Sequence, residues 1–453
     1  MKRAALLLAP ALAVGALSGS SAHAQRDTLF PGQGNSGYQV RAYDVAIDYT
    51  PLTDRAIATV TIRAVARTAM RSFHLDYEGP RITEVLVDGE PAEHSREGTE
   101  LVVVPDGGVD EGRFTVVVSY YGTPPEHTDP DGSTEGWVDT ADGAIAINEP
   151  AGAMTWLPSN NTPGDKARFT FHLSAPAGYE AVANGELVDT APHGMGTTWT
   201  WKQSEPMATY LAMVGFGRYD VTESTITSVD GRRIPVWFYE DSVLGEASAA
   251  RDLLPEAIGF LEDLFGPYPF SSAGHVVDDA NVGYALETQS RPFYPAGSAG
   301  TLTVVHETAH QWFGDSVTLS DWHDIWLAEG WATYAEWLWT GAHGGKSPQD
   351  HFDDLYATPA DDGLWSPAPT EFEDPADLFG EPVYNRGAMT LQALRKRIGT
   401  DDFVELGRRW AATFRHDNAD TRDFERLAEK VSGRQLDRLF DDWLRLDGKP
   451  RGY

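Results

Sequence analysis

Between Tyr38 and about Val221, apolar and polar residues alternate in short runs. Val40-Arg41-Ala42-Tyr43-Asp44-Val45-Ala46-Ile47 and Ala58-Thr59-Val60-Thr61-Ile62-Arg63 are the clearest, with shorter runs at 101–104, 114–121, 169–173 and 198–201. Gly, Pro and Asp clusters separate many of them. A period of two with frequent turns predicts half-buried strands, and hence an antiparallel β domain built as a sandwich or a saddle-shaped sheet. From about residue 247 the period lengthens. Apolar residues fall at helical spacing over 249–265, 302–313, 325–338, 388–398, 403–414 and 436–444, with strand-like pieces at 234–239 and 275–277. The pattern predicts a multidomain α+β chain, with an N-terminal antiparallel β domain over 25–222 and a mainly helical domain over 223–453.

Residues 1–24 follow a different plan. Lys2 and Arg3 precede an apolar stretch from Ala4 to about Leu17, and Ala22-His23-Ala24 reads as a small-residue cleavage site. This is the order of a secretory signal peptide, so a secreted or periplasmic protein is expected after cleavage near Ala24. The apolar run falls short of the ~20 residues that span a bilayer, and no later stretch is long enough, so no membrane span is expected.

Composition narrows the chemistry. The 453 residues contain no cysteine, which excludes disulfides, thiolate metal sites, iron–sulfur clusters, a cysteine nucleophile and a lipid anchor on cysteine. Any metal must be held by His and carboxylates. The formal charge of −33 argues against nucleic-acid binding, which needs basic stripes to neutralise phosphates. With 41% hydrophobic residues and 14 Trp the chain can still build a core, so acidic disorder is excluded.

The segment His306-Glu307-Thr308-Ala309-His310 carries the chemistry. Histidines at i and i+4 share one helix face, so both imidazoles reach one ion. Glu307 stands beside them, in reach of a metal-activated water whose pKa zinc lowers toward about 7. A second helix is predicted around Trp326-Leu327-Ala328-Glu329-Gly330-Trp331, where Glu329 completes a two-His, one-carboxylate set with one open position. Glu336, seven residues on, is on the same face and in reach of a ligating imidazole. One zinc per chain is expected.

The stretch 306–334, with its flanking His310-Gln311-Trp312-Phe313-Gly314 and Val317-Thr318, resembles the zinc signature of the gluzincin aminopeptidases, the aminopeptidase N and leukotriene A4 hydrolase family. The resemblance implies a thermolysin-like catalytic domain that hydrolyses N-terminal peptide bonds, with Glu307 as general base. Tyr284-Ala285-Leu286-Glu287-Thr288 is similar to the family's G-A/G-M-E-N motif, keeping the Ala and Glu but not the Asn. It implies that Glu287 pairs with the substrate's α-ammonium, a charge-assisted contact that fixes the register of cleavage. Tyr384-Asn385-Arg386-Gly387-Ala388 resembles the family's segment whose Tyr donates to the oxyanion, a task suited to a neutral phenol. Glu149, ahead of Met154-Thr155-Trp156-Leu157-Pro158 and Pro163-Gly164-Asp165-Lys166-Ala167, falls where the family has a Gln or Glu that reaches the substrate amine. Ser159-Asn160-Asn161-Thr162 replace the family's C-F-D-E. The resemblance stops near Trp443, and the large helical C-terminal domain of longer members is expected to be absent or a remnant.

The combined expectation is a zinc aminopeptidase acting on peptides with a free N-terminus. Its rivals are an endopeptidase of the same chemistry and a zinc-bearing binding protein without catalysis. Glu287 opposes the first, because an internal peptide leaves its carboxylate unpaired. Glu307 and Tyr384 oppose the second. Of the weaker signals, Gly344-Gly345-Lys346-Ser347 lacks the leading Gly and strand of a phosphate loop. Asp129-Pro130-Asp131-Gly132 lacks calcium-ligand spacing and reads as a turn. His323 reads as a surface residue or a support to the metal ligands.

Overall fold

The computed structural model describes residues 27–244 and 249–451, so the leader expected over 1–24 lies outside the described residues. The first half is built on an eight-stranded sheet. Its central strands are Ala167–Pro176, Tyr38–Thr50, Arg55–Ala66 and Gly112–Gly122, in that spatial order. Along Arg55–Ala66 the alternation is strict: Ala56, Ala58, Val60, Ile62, Ala64 and Ala66 are buried. Tyr38–Thr50 departs from it. A bulge between Val40 and Ala42 switches the parity, so Tyr38 and Val40 point inward first and Tyr43, Val45, Ile47 and Tyr49 afterwards. The sheet also departs from a purely antiparallel one, because Tyr38–Thr50 and Ala167–Pro176 run parallel.

A second, five-stranded sheet contains Glu126–Thr128, Thr134–Asp139, Ala144–Ile147, Val214–Gly217 and Glu180–Ala183. The two sheets share a core. Tyr49 of the first meets Trp137 of the second edge to face at 5.4 Å, with Phe216 tilted against Tyr49 at 4.9 Å.

The domain change expected at 222 falls inside the strand Tyr219–Thr227. That strand pairs with Arg233–Asp241 and so belongs to the four-stranded sheet of the second half, with Ala273–Asp278 and Phe293–Pro295. Among the described residues eight α-helices follow: α1 (Ala249–Phe265), α2 (Thr301–His310), α3 (Trp326–Ala342), α4 (Pro348–Tyr356), α5 (Gly387–Ile398), α6 (Thr400–Thr413), α7 (Thr421–Ser432) and the short α8 (Asp437–Phe440), which a π-helical turn, Asp441–Arg445, continues over the stretch expected as a helix at 436–444. Helix α3 is apolar around most of its circumference, as a central helix must be. Trp331 on α3 stacks on Phe313 at 4.5 Å and on Phe403 of α6 at 5.4 Å. Truncating such a side chain costs about 3–5 kcal/mol. Among the described residues, no helix is long and apolar enough to cross a membrane.

Candidate active site

Helix α2 points its C-terminal turn at α3, and the proposed ligands meet between them. His306 Nε2 lies 3.1 Å from Glu329 Oε2, and His310 Nε2 lies 3.4 Å from the same oxygen. Donor atoms held about 2.0–2.1 Å from one tetrahedral zinc stand about 3.3 Å apart, so the set fits the ion. The other ring nitrogens are already engaged. His306 Nδ1 donates to Glu336 Oε1 at 2.7 Å and His310 Nδ1 donates to the Phe313 carbonyl at 3.1 Å. Both Nε2 atoms are thereby left facing the common point, the arrangement that orients metal-binding imidazoles. Burial pushes the Glu329 carboxyl up, but the imidazoles of His310 and His306 outweigh that and hold it at about 2, ionised and ready for a cation.

Glu307 is buried on the same turn and faces a cleft of about 270 Å³, which the four residues of the ligand set and base share with Glu149, Glu287 and Tyr384. Tyr384 sits on a π-helical turn, Pro382–Arg386, that runs into α5. Its ring lies 6.2 Å from that of His306. Burial, reinforced by the Glu329 charge, holds its phenol well above the ordinary value, so it stays a neutral donor. Arg386 anchors this turn. Its buried guanidinium donates to the carbonyls of Trp443 at 2.9 Å and Trp365 at 2.6 Å, and also to those of Asp442 and Leu446.

Glu149 and Glu287 arrive from different halves of the chain. One oxygen of each and one of Glu329 lie within 4.8 Å of one another. Both are buried, and Glu287 Oε1 has no hydrogen-bond partner. Burial, then the Glu287 charge, pushes the Glu149 carboxyl well up. Apart from the His310 imidazole, 3.8 Å from Glu287 Oε1, these two adjacent buried carboxylates face no cation, and they suit a cationic group.

Several supporting residues have roles that the sequence motifs do not reveal, even where, as for Gln311, Asn161 and Lys166, they stand inside one. Gln311 accepts from Ser290 N at 2.7 Å and donates to the Glu287 carbonyl at 3.2 Å, tying the Glu287 segment to the end of α2. Asn184 donates to the Leu211 and Gln289 carbonyls, bringing the β domain onto the same loop. Asn161 donates to the Pro150 carbonyl at 3.1 Å and steadies the Glu149 segment. Lys166 Nζ donates to the carbonyls of Asp315 and Ser316, just beyond α2. His323 is remote from the ligand set and bonds Asp321 and the Phe372 carbonyl.

A β domain closing over a helix pair that carries two His and one Glu defines the scaffold of a metallopeptidase. Comparison with known proteins agrees. The Peptidase M1 N-terminal domain model matches residues 40–211 and the Peptidase family M1 domain model matches residues 297–443, together well over half of the chain. The protein is a member of peptidase family M1. It is similar to probable aminopeptidase 2 of Sulfurisphaera tokodaii, 26% identical over 326 residues, which are 66% of this chain and 41% of that protein. It is also similar to glutamyl aminopeptidase of Rattus norvegicus, 28% identical over 333 residues, 68% of this chain and 35% of the relative. The chain thus spans about two fifths or less of the length of these curated relatives. By contrast, an M1 zinc metallopeptidase from Deinococcus radiodurans superposes with a TM-score of 0.82 at 27% identity, covering 94% of this chain and 99% of that one. A mutant of an M1 zinc metallopeptidase from the same organism, solved with a Tyr-Ser-Ala substrate, superposes with a TM-score of 0.84 at 26% identity.

Proposed function

We propose that this protein is a zinc-dependent aminopeptidase that removes the first residue of peptides with a free N-terminus. The observation that carries this reading is the pair Glu149 and Glu287, two buried carboxylates side by side at the end of the cleft that holds the His306, His310 and Glu329 ligand set. An α-ammonium satisfies both, and an internal peptide segment satisfies neither. When bound by the three ligands, one zinc supplies Lewis acidity, lowering the pKa of a water and polarising the scissile carbonyl.

The chain's own groups do the rest. Glu307 accepts the proton of the attacking water and returns it to the departing amine. Tyr384 donates to the oxygen that gains charge as the carbonyl is attacked. Glu287 and Glu149 hold the ammonium, so the bond next to the first residue is the one presented. Export of the protein by the leader at 1–24 is part of the same proposal.

A panel of aminoacyl amides, with and without a chelator, tests the activity, and N-acetylated partners test the register. Free substrates should be cut in a chelator-sensitive way and acetylated ones far more slowly. Equal cleavage of both forms would leave a zinc endopeptidase, and no cleavage of either would leave a zinc-bearing binding protein.

A further inference from the structure

Behind the cleft wall, the β domain brings a second set of metal-type donors together. His127, on the strand Glu126–Thr128, is paired directly across the sheet with Glu135 of Thr134–Asp139, so both side chains leave the same face. Asp129 follows His127 by two residues, and the turn through Pro130, Asp131 and Gly132 brings the chain back to Glu135. One donor atom of each of the three lies within 4.8 Å of the others.

The outer side of this cluster is held by neighbouring protein groups, and on the inner side the two carboxyl groups and the imidazole face one another. His127 Nδ1 donates to Glu78 Oε2 at 2.8 Å, which turns Nε2 toward the carboxylates. That Nε2 stands 3.7 Å from Asp129 Oδ1, beyond hydrogen-bond length. Glu135 Oε1 accepts from Ala151 N at 2.9 Å, and the Glu135 and Asp129 carboxyl groups lie close enough to share a hydrogen bond when one of them is protonated. Asp129 Oδ2 takes a long contact from Ser133 Oγ, while its Oδ1 has no partner. Glu135 is wholly buried and Asp129 is 5% exposed. Burial raises both carboxyl groups, Asp129 to about 6, and the neighbouring Asp129 charge raises Glu135 further. The carboxylate-to-imidazole arrangement repeats that of Glu336 and His306 in the cleft.

We propose that His127 Nε2, Asp129 Oδ1 and Glu135 Oε2 bind a second divalent cation of the zinc type, distinct from the one at His306, His310 and Glu329. One imidazole nitrogen with two carboxylate oxygens suits zinc or a neighbouring first-row ion, whereas calcium takes six to eight oxygens. The position gives the ion a task. The turn after Asp129 presents Asp131 and Ser133 to the cleft, the Thr134 carbonyl accepts from Tyr284 of the Glu287 segment at 2.8 Å, and Glu135 holds the backbone two residues beyond Glu149. A cation here pins one wall of the cleft, and the inference stands independently of the peptidase activity.

The test is zinc titration of the metal-free full chain, followed by calorimetry and by metal analysis after gel filtration. About two zinc per chain are expected for the unmodified protein and about one for Glu135→Gln and for Asp129→Asn, each keeping the cleft zinc. The double variant His306→Ala/His310→Ala should keep the second zinc and lose the first. Circular dichroism of each variant separates loss of a ligand from loss of the fold, and the two single substitutions check one another. Saturation of the unmodified protein at one zinc, with the same value in both single variants, would overturn the proposal and leave the carboxyl pair sharing a proton. An unmodified protein that binds one zinc, lost in Glu135→Gln and kept in the His306→Ala/His310→Ala variant, would instead count against the catalytic site.

Discussion

Gly330 of α3 and Gly387 of α5 meet backbone to backbone. A Cβ on Gly330 would stand 3.0 Å from the Gly387 carbonyl carbon, and one on Gly387 would stand 3.1 Å from the Gly330 Cα. Glu329 precedes the first glycine by one residue, and Tyr384 precedes the second by three. The crossing therefore sets how far Glu329, the proposed third metal ligand, lies from the phenol. Gly330→Ala should force the helices apart and cost about 1–3 kcal/mol of stability, the usual scale for overpacking. It should also lower kcat although no reacting group has changed. Thermal melting and steady-state kinetics check both, and a variant with unaltered kcat would separate the crossing from catalysis.

Glu307→Gln and Tyr384→Phe remove different functions at nearly constant volume. The amide cannot accept a proton, so the first should retain zinc by metal analysis and lose most turnover. The second removes one neutral donor, and kcat should fall by ~10²–10³ with KM moving less. A Tyr384→Phe enzyme with wild-type kcat would assign the oxyanion to another group.

Glu149 and Glu287 should not act additively. If both carboxylates hold one ammonium, Glu149→Gln and Glu287→Gln will each lose part of the activity on free substrates. The double variant will then lose less than the combined single losses, a coupling of roughly 0.5–3 kcal/mol in a double-mutant cycle. Strict additivity in kcat/KM would mean that only one of them touches the substrate.

The β domain and catalytic domain meet near a titrating group remote from the cleft. Asp278, in the strand Ala273–Asp278, accepts from the Tyr219 hydroxyl and lies near Asp241 and Asp279. Burial raises its pKa from 3.8 to about 7. The folded state then holds a proton that the unfolded chain gives up, so its contribution to stability is complete below about pH 4 and is lost as pH rises through 7. Asp278→Asn lacks this loss. Its stability relative to the unmodified protein should improve between about pH 4.5 and about pH 8, by at most ~1.4 kcal/mol per pH unit. Urea unfolding across that range reads the difference, and a constant offset would refute the assignment.

How much was legible in the sequence differs by interaction range. His306 and His310 are joined by one helical turn, so their spacing alone puts two imidazoles on one face. Glu329 and Glu336 are likewise two turns apart on α3. Residues that act across the chain left no local trace: nothing near Gln311 announces Ser290, and nothing near Asn161 announces Pro150. The bulge at Arg41 was hidden because alternation continues in letters while the parity of burial switches. Helices α4 and α7 were passed over for a different reason. Only Phe352 of α4 is fully buried, and α7 buries little beyond Phe424, Leu427 and Ala428, so the apolar stripe is thin. Their starts were readable in the capping boxes Ser347 to Asp350 and Asp420 to Asp423.

The guanidinium of Arg386 has a consequence for how the enzyme matures. Its four carbonyl partners include Asp442, Trp443 and Leu446, more than fifty residues beyond it. The proposed metal donors are all present once α3 is complete, whereas three of the four carbonyls that hold the turn bearing Tyr384 come from residues 442–446. On the proposed function, a proteolytic nick before residue 442 should therefore weaken hydrolysis more than it weakens zinc binding.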